Sequence, residues 1–398
     1  MQGLLYLTHR IPYPPNKGDK IRSYHLLQHL RKHFRVYLGT FIDDDQDWQY
    51  VDHVSSFCEE TCFVKLDPLL ARMRSIIYLF SGMPLTLPYY RSAKLSSWVN
   101  HQLERNDIKH AVIFSSAMAQ YISKMNIASR IVDFVDVDSD KWGQYALTKA
   151  WPQKWIYQRE AKLLLRYESD IAKECNYVTF VSEKEADLFK QLSPEVSNKI
   201  TYFNNGVDTT FFSPSQHFIN PYQPDAKVLV FTGAMDYWPN IDAVRWFAYE
   251  IFPTIHKRIQ DVEFYIVGAR PSKMVQELTS IPGVKVTGSV DDIRPYLAFS
   301  EITIAPLRIA RGIQNKVLEA MAMEKVVVAS PQALEGITAK PGIEIFVAEG
   351  VEDYINQLIN LLLNSQLEIG QAARLRVLED YNWDKNLSRI DHLLQVSS

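Results

Sequence analysis

The sequence predicts an α/β protein built from two doubly wound parallel sheets. Short β-branched runs alternate with longer amphipathic stretches, which is the pattern of parallel-sheet units. The alternation stops in a polar, proline-containing stretch at about residues 214–225 and then restarts. A length of 398 residues also favours two domains, because single cores stop growing at ~250–300 residues.

In the first half, six β-branched runs are predicted strands, and the segments between them are predicted helices. One such helix, residues 19–31, carries an apolar stripe at helical spacing that can face a sheet. The predicted strands are residues 4–7, 36–40, 111–114, 130–134, 178–181 and 200–203.

The second half repeats this pattern, with a helical segment after each strand. Its predicted strands are residues 228–232, 263–267, 284–287, 302–305, 326–329 and 343–347. We therefore predict an N-terminal domain of residues 1–214, a C-terminal domain of residues 225–380, and a last helical segment, 381–398, that packs at the domain junction.

Composition excludes several classes of function. With 43 Lys and Arg against 46 Asp and Glu, the formal charge is −3, so no positive field would attract nucleic acid, and we expect none as a partner. The three cysteines have no second pair to complete a zinc site. Together with an N-terminal apolar run too short for a signal peptide, they favour a cytoplasmic protein.

Residues 65–94 form a basic and apolar stretch without the ~20 charge-free apolar residues that cross a bilayer. Arg72 and Arg74 lie among Ile76, Ile77 and Phe80, a composition suited to a helix lying on the inner face of a membrane. A core helix with two solvated arginines is the alternative.

The first loop that could form a functional site, residues 9–20, lies between a predicted strand and a predicted helix. Gly18 would let the backbone approach a phosphate or a sugar, and Lys17 or Lys20 would add positive charge. The alternative is a proline-stiffened turn. The chain has neither G-x-G-x-x-G nor G-x-x-x-x-G-K-S/T, which argues against a dehydrogenase and against P-loop hydrolysis.

Four carboxylates, Asp133, Asp136, Asp138 and Asp140, gather where another predicted strand ends. Because like charges raise one another's pKa or require a cation, the cluster suggests proton transfer, binding of sugar hydroxyls or binding of a metal. The alternative is helix capping by Asp138 or Ser139.

The third candidate is the predicted helix that follows Gly312. Its amino end is a potential anion site. Lys316 lies in the first turn, where a cation opposes the helix dipole unless it serves an anionic ligand, and Glu319 could accept hydrogen bonds from ribose hydroxyls. The alternative is a surface salt bridge between Lys316 and Glu319.

Six segments in this order resemble the retaining glycosyltransferases of family four, whose two Rossmann-like domains face each other across a cleft (the GT-B fold). More narrowly, the chain is similar to sugar transferases found with bacterial exopolysaccharide and exosortase genes. The segments are residues 8–20, 133–142, 205–208, 231–240, 286–293 and 312–322.

The resemblance implies a C-terminal domain that binds a UDP- or GDP-linked sugar donor. Gly233 would admit the diphosphate, Ser289 and Val290 would cradle the base, and Glu319 would bind the ribose as the second glutamate of the family's Glu, seven residues, Glu motif. Arg311 replaces the first glutamate, so the candidates to contact the diphosphate and the hexose become Gln314, Asn315 and Lys316.

In the N-terminal domain, the resemblance implies a glycan or lipid-linked acceptor. Asn16, Lys17, Gly18 and Asp19 form the predicted acceptor or phosphate loop. Asp136 stands where many members carry a histidine beside the reacting sugar.

Together with Asp138 and Lys316, Asp136 makes up the predicted catalytic set. Neither a metal nor a cofactor is expected. The alternative functions are a nucleotide-sugar epimerase of the same architecture and a nucleotide-sugar-binding protein with weakened catalysis.

Overall fold

The computed structural model describes residues 1–15, 17–122, 127–310, 312–364 and 366–395. The chain divides into two compact units. The first comprises Met1–Asn204 together with Leu387–Ser398, and the second comprises Asn205–Asn386. Each unit is an α/β structure with one parallel sheet.

The first unit contains a seven-stranded parallel sheet in the order β3-β2-β1-β4-β5-β6-β7. Strand β1 lies in the interior of the sheet, between β2 and β4, and six of the seven residues of β1 are buried. The strands are β1 Gln2–Thr8, β2 Phe34–Ile42, β3 Glu60–Lys65, β4 Ile108–Phe114, β5 Ser129–Val135, β6 Tyr177–Phe180 and β7 Ile200–Tyr202.

Helices connect these strands, as parallel pairing requires. They are α1 Gly18–Leu30, α2 Val51–Ser55, α3 Pro68–Ile76, α4 Thr86–Tyr89, α5 Ala93–Arg105, α6 Asp138–Leu147, α7 Gln153–Glu174 and α8 Glu183–Leu192. Short 3₁₀ turns lie at Asp45–Tyr50, Ser116–Tyr121 and Pro194–Lys199.

The second unit has a six-stranded sheet in the order β10-β9-β8-β11-β12-β13, again with parallel pairs. Its strands are β8 Lys227–Thr232, β9 Val262–Val267, β10 Val284–Gly288, β11 Ile302–Ala305, β12 Val326–Ala329 and β13 Phe346–Val347.

The helices of the second unit are α9 Trp238–Trp246, α10 Phe252–Arg258, α11 Lys273–Gln276, α12 Arg294–Ala298, α13 Asn315–Ala322, α14 Pro331–Leu334, α15 Gly350–Leu363 and α16 Leu367–Asp380. A π-helical turn lies at Phe247–Ile251 and a 3₁₀ turn at Glu277–Ser280. The last helix, α17 Trp383–Leu394, begins in the second unit and ends in the first.

The structure confirms the predicted fold class, and each of the twelve predicted strands has a counterpart. Strand β3 was not predicted. Only two of its six residues, Cys62 and Phe63, are buried, because it lies at an edge of the sheet and lacks the continuous apolar run of a central strand. No helix among the described residues has the length and hydropathy to cross a bilayer.

Candidate functional site

In the second unit, the loops after β8 and β9 are in backbone contact at the carboxyl edge of the sheet. Gly233 and Gly268 each have φ +153°, a region that favours glycine. A Cβ atom on Gly268 would lie 1.7 Å from the carbonyl oxygen of Gly233. Met235 N also donates to Ala269 O at 2.8 Å. The two loops therefore form one rigid backbone platform.

Lys316, from the first turn of α13, lies against this platform. Its Nζ donates to Oδ1 of Asn240 at 2.5 Å and sits 4.2 Å from the ring centroid of Phe231. Nδ2 of Asn240 in turn donates to Ala234 O at 2.9 Å. A Cβ atom on Gly233 would lie 3.0 Å from Nζ of Lys316. The ammonium group is thus fixed beside the glycine predicted to admit a diphosphate.

The environment of α13 perturbs both of its charged side chains. Burial lowers the pKa of Lys316 to about 7, an effect that Glu319 partly opposes. Burial also raises the pKa of Glu319 to about 7, and Lys316 partly opposes that shift. A lysine and a glutamate with such shifts fit a binding site better than the solvated surface salt bridge considered as the alternative.

Gln314 and Asn315 lie at the amino end of α13. Gln314 is the N-cap residue, and Oδ1 of Asn315 accepts a hydrogen bond from Nδ2 of Asn205 at 3.3 Å. The first N–H groups of an α-helix have no intrahelical acceptor and attract anions. The position of Lys316 therefore places a cation next to a helix amino end. Arg311 lies outside the described residues.

Ser289 and Val290 follow β10, two strands away from β8 in the same sheet. Ser289 is exposed and Val290 is half-buried. Because the strands are parallel, these residues and Gly233 lie at the same edge of the sheet. Among the described residues, no hydrogen bond or ion pair joins them to Lys316 or Glu319, so their predicted role at the base rests on this shared edge.

In the first unit, the loop after β1 is held by a cluster of ion pairs. Arg10 donates to Oδ2 of Asp19 at 2.7 Å and to Oδ2 of Asp43 at 2.5 Å. Nε2 of His9 lies 3.4 Å from Asp19. Although burial opposes the shift, the hydrogen bond with His9 and the charge of Arg10 lower the pKa of Asp19. Asp19 is therefore an ionised carboxylate held by protein cations.

The other residues of this loop have different environments. Lys17 is half-buried and Gly18, the first residue of α1, is exposed. Lys20 is buried and donates to Oδ2 of Asp47 at 2.6 Å, so the suggestion that Lys20 adds charge for a ligand is wrong. Asn16 lies outside the described residues.

A strained turn after β5 positions Asp136. Val135 has φ +70°, a conformation that costs a β-branched residue energy and is found mainly at functional sites. Asp136 N donates to Phe134 O, and Asp136 O accepts from the amide of Asp138. Asp136 and Asp138 are half-buried. The N-cap of α6 is Val137, so neither Asp138 nor Ser139 caps this helix.

Asp133 belongs to the core of the first unit and not to a ligand-facing carboxylate cluster. It is 1% exposed, and its carboxylate accepts two hydrogen bonds from Arg22, at 2.7 and 3.1 Å. Thr179 donates a third, at 3.1 Å. The grouping of Asp133 with Asp136 from the sequence was therefore wrong.

Two polar residues of these regions were not predicted from the sequence. Asn240 ends segment 231–240 of the family resemblance. Its position at the start of a helix, just after the loop that follows a strand, could have identified it as a site residue. Glu168 of α7 lies outside all of the sequence motifs, so no pattern identified it. It is fully buried, and burial, followed by the charge of Asp138, raises its pKa.

Comparisons with known proteins agree with this architecture. No curated protein matches the sequence. Among solved structures, sucrose-phosphate synthase from Thermosynechococcus elongatus is 16% identical, with a TM-score of 0.75 over 99% of this chain and 98% of that chain. HepE from Anabaena, solved with UDP-glucose, is 14% identical, with a TM-score of 0.67 over 100% of both chains.

A glycosyltransferase from Rickettsia africae is also 14% identical, with a TM-score of 0.65 over 100% of this chain and 99% of that chain. Residues 226–364, which lie within the second unit and include the platform, Lys316 and Glu319, match the family described as glycosyl transferases group 1. The chain has the two-domain GT-B fold, and its second unit carries the sequence signature of glycosyl transferases group 1.

Proposed function

We propose that the protein is a retaining glycosyltransferase that uses a nucleotide-diphosphate sugar and a glycan or lipid-linked acceptor. The observation that carries this proposal is the group formed by Gly233, Asn240, Lys316 and Glu319 within the matched segment. This group offers a close backbone approach, a half-buried cation and a helix amino end, which suit a diphosphate. The similar HepE structure contains UDP-glucose, which supports a sugar nucleotide as the ligand.

In the proposed reaction, Lys316 and the amino end of α13 stabilise the negative charge that develops on the departing diphosphate. Preorganised donors are effective here because they need no reorganisation during the reaction. Glu319 binds the ribose hydroxyls, and Gln314 and Asn315 contact the diphosphate and the hexose. This arrangement needs no metal, because the lysine and the backbone amides supply the positive potential.

Asp136 is the proposed residue beside the sugar, with Asp138 as the second candidate. A carboxylate can accept a hydrogen bond from the sugar or stabilise the positive charge of an oxocarbenium-like transition state. The strained backbone at Val135 supports this assignment, since strain of this kind persists where the surrounding structure fixes a functional side chain.

We further propose that the acceptor is presented at a membrane and that the pathway is exopolysaccharide synthesis. The first unit carries a surface that we call the apolar patch. It comprises Leu69, Leu70, Met73, Ile76, Ile77, Phe80, Leu147, Trp151 and Trp155, which are 43–90% exposed. Soluble proteins rarely expose so many large apolar side chains together without a binding partner.

The donor assignment is tested by thermal unfolding with UDP, GDP and their sugar conjugates. A ligand that binds only the folded state stabilises it by about 2.7 kcal/mol at one hundred times its Kd. We expect one nucleotide series to raise the Tm of the native protein. In Lys316→Met and Glu319→Gln the affinity should fall about 10- to 100-fold, since a hydrogen bond to a charged group contributes ~1.5–3 kcal/mol.

Lys340→Met and Glu352→Gln, both at exposed positions of the second unit, are the matched controls and should bind like the native protein. Unchanged binding in both site variants would refute the donor site. Conversion of the donor to its epimer without acceptor would indicate an epimerase, and tight binding without transfer would indicate a binding protein. Retention is checked by NMR of the anomeric configuration of the product.

A further inference from the structure

A group of three potential metal ligands lies in the first unit, on elements that share no residue with the proposed donor site. His29 is in the last turn of α1, His33 follows that helix, and Asp391 is on α17. One ligand atom from each lies within 4.8 Å of the other two. His29 Nε2 and Asp391 Oδ1 are already 2.8 Å apart.

We propose that His29, His33 and Asp391 bind a divalent transition-metal ion, with Zn²⁺ as the best match. Two imidazole nitrogens and one carboxylate oxygen are a common donor set for Zn²⁺, and water would complete a tetrahedral site. His33 lies just beyond the end of the helix that carries His29, and the centroids of the two imidazole rings are 5.6 Å apart. The third ligand comes from the chain's last helix.

Small movements suffice to assemble this site. Zn–N and Zn–O bonds of about 2.0–2.2 Å place ligand atoms somewhat more than 3 Å apart in a tetrahedron. The contact between His29 and Asp391 must therefore open slightly, and the more distant ligand atoms must approach. His33 is exposed and Asp391 is half-buried, so both side chains have room to adjust, whereas His29 is buried and fixed.

The burial of His29 provides a second argument. His29 is 6% exposed, and its Nδ1 atom has no hydrogen-bond partner among the described residues. Because packing holds this residue in place, its Nε2 atom is a preorganised ligand. In the metal-bound form the neutral ring would carry its one proton at Nδ1, and the lone pair of Nε2 would bind the ion.

Metal binding would strengthen the attachment of α17 to the first unit. Residues 387–398 belong to the first unit although the preceding part of α17 belongs to the second. Hydrogen bonds such as that from Arg389 to Tyr202 O, at 3.0 Å, hold this segment. A metal shared by α1 and Asp391 would add a cross-link between the first and last helices of the chain, and so stabilise the attachment of α17.

The test is titration of the metal-free full-length protein with Zn²⁺ by calorimetry, with Co²⁺ absorption as a spectroscopic probe. We expect saturable binding of one ion, tetrahedral Co²⁺ bands and a raised Tm, because the ion binds only the folded state. His33→Ala, an exposed substitution, should fold normally and bind Zn²⁺ at least tenfold more weakly. Asp391→Asn should do the same.

His392→Ala removes an exposed histidine next to Asp391 and is the matched control, which should bind like the native protein. Equal Zn²⁺ affinity in His33→Ala and the native protein would overturn the proposal, as would the absence of both binding heat and Tm shift. Neither readout involves sugar transfer, so this result is independent of the proposed function.

Discussion

At the scale of single residues, burial gives Lys316 and Glu319 opposite pKa shifts from one cause. Water stabilises charged forms, so partial removal of water lowers the pKa of a lysine and raises that of a glutamate. A bound diphosphate would place a negative charge beside the ammonium group of Lys316. If the proposed donor site binds an anion, its protonation state should therefore change on binding.

We therefore predict that binding of the diphosphate sugar is coupled to proton uptake at pH 8. With pKa values of about 7, Lys316 is then mostly neutral and Glu319 mostly ionised. The anion raises the pKa of Lys316, so the complex takes up a proton and the affinity falls as the pH rises above about 7. Calorimetry in two buffers of different ionisation enthalpy measures this uptake. Lys316→Met should reduce it, because only Glu319 then remains to take up a proton, and an equal uptake in that variant would contradict the assignment.

Sequence spacing was sufficient to predict that Lys316 and Glu319 lie close together, because one turn of a helix relates them. It was not sufficient for Asn240, whose role depends on the contact between the start of α9 and the start of α13. Sequence spacing also led to the wrong prediction that Asp133 belongs to a carboxylate cluster with Asp136. Its neighbour Asp136 is only three residues away, but Asp133 lies within a strand and its side chain points into the core, where Arg22 of α1 neutralises it.

At the scale of elements, Arg22 fastens α1 to the first sheet. The side chain is fully buried and donates to Asp133, to Phe203 O at 2.9 Å and to Phe180 O at 3.3 Å. Its guanidinium also lies 3.6 Å from the ring centroid of Phe203. One residue thus joins the helix to β5, β6 and the end of β7. Such a long-range network has no signal in the local sequence pattern.

We predict that Arg22→Met destabilises the protein by about 3–5 kcal/mol, because it leaves the carboxylate of Asp133 buried without its cation. Urea unfolding followed by circular dichroism measures the change in free energy. Arg35→Met replaces an exposed arginine of β2 and should change stability by less than ~0.5 kcal/mol. A comparably small effect of Arg22→Met would show that the ion pair does not stabilise this unit.

Prediction of elements succeeded where the apolar pattern was strong and failed at β3, where two buried residues leave almost no pattern. The stretch 65–94 shows the same limit. Its composition indicated a helix, and α3 is present, but Arg74 donates to Pro88 O and Tyr89 O at 2.8 Å. This arginine therefore fixes the fold of the segment, although it is exposed like Arg72, the other basic residue of α3.

At the scale of the whole molecule, the apolar patch brings together two distant parts of the sequence. Arg159 of α7 donates to Tyr78 O and Met83 O, both at 3.0 Å, and the rings of Phe80 and Trp155 are 6.5 Å apart. Residues 68–103 and 141–159, which contain the patch, have no Asp or Glu but several Lys and Arg. This charge pattern complements an anionic lipid surface.

We therefore predict that the protein sediments with vesicles containing phosphatidylglycerol and much less with vesicles of phosphatidylcholine alone. The double variant Ile77→Ser, Phe80→Ser removes two of the most exposed apolar side chains. It should bind at least tenfold more weakly, because each such side chain contributes about 1.5–3 kcal/mol when buried. Arg72→Glu with Lys154→Glu should reduce the preference for anionic lipid, and added salt should weaken binding of the native protein.

The matched control is Leu367→Ser, Leu375→Ser, which replaces two leucines of α16 that are 72% and 67% exposed in the other unit. Because these residues lie outside the patch, this variant should pellet like the native protein. Equal pelleting of the patch variant and the native protein would exclude the patch as a membrane contact. That outcome would not affect the proposal of the donor site. Loss of pelleting in both double variants would indicate that general surface hydrophobicity, and not this patch, drives binding.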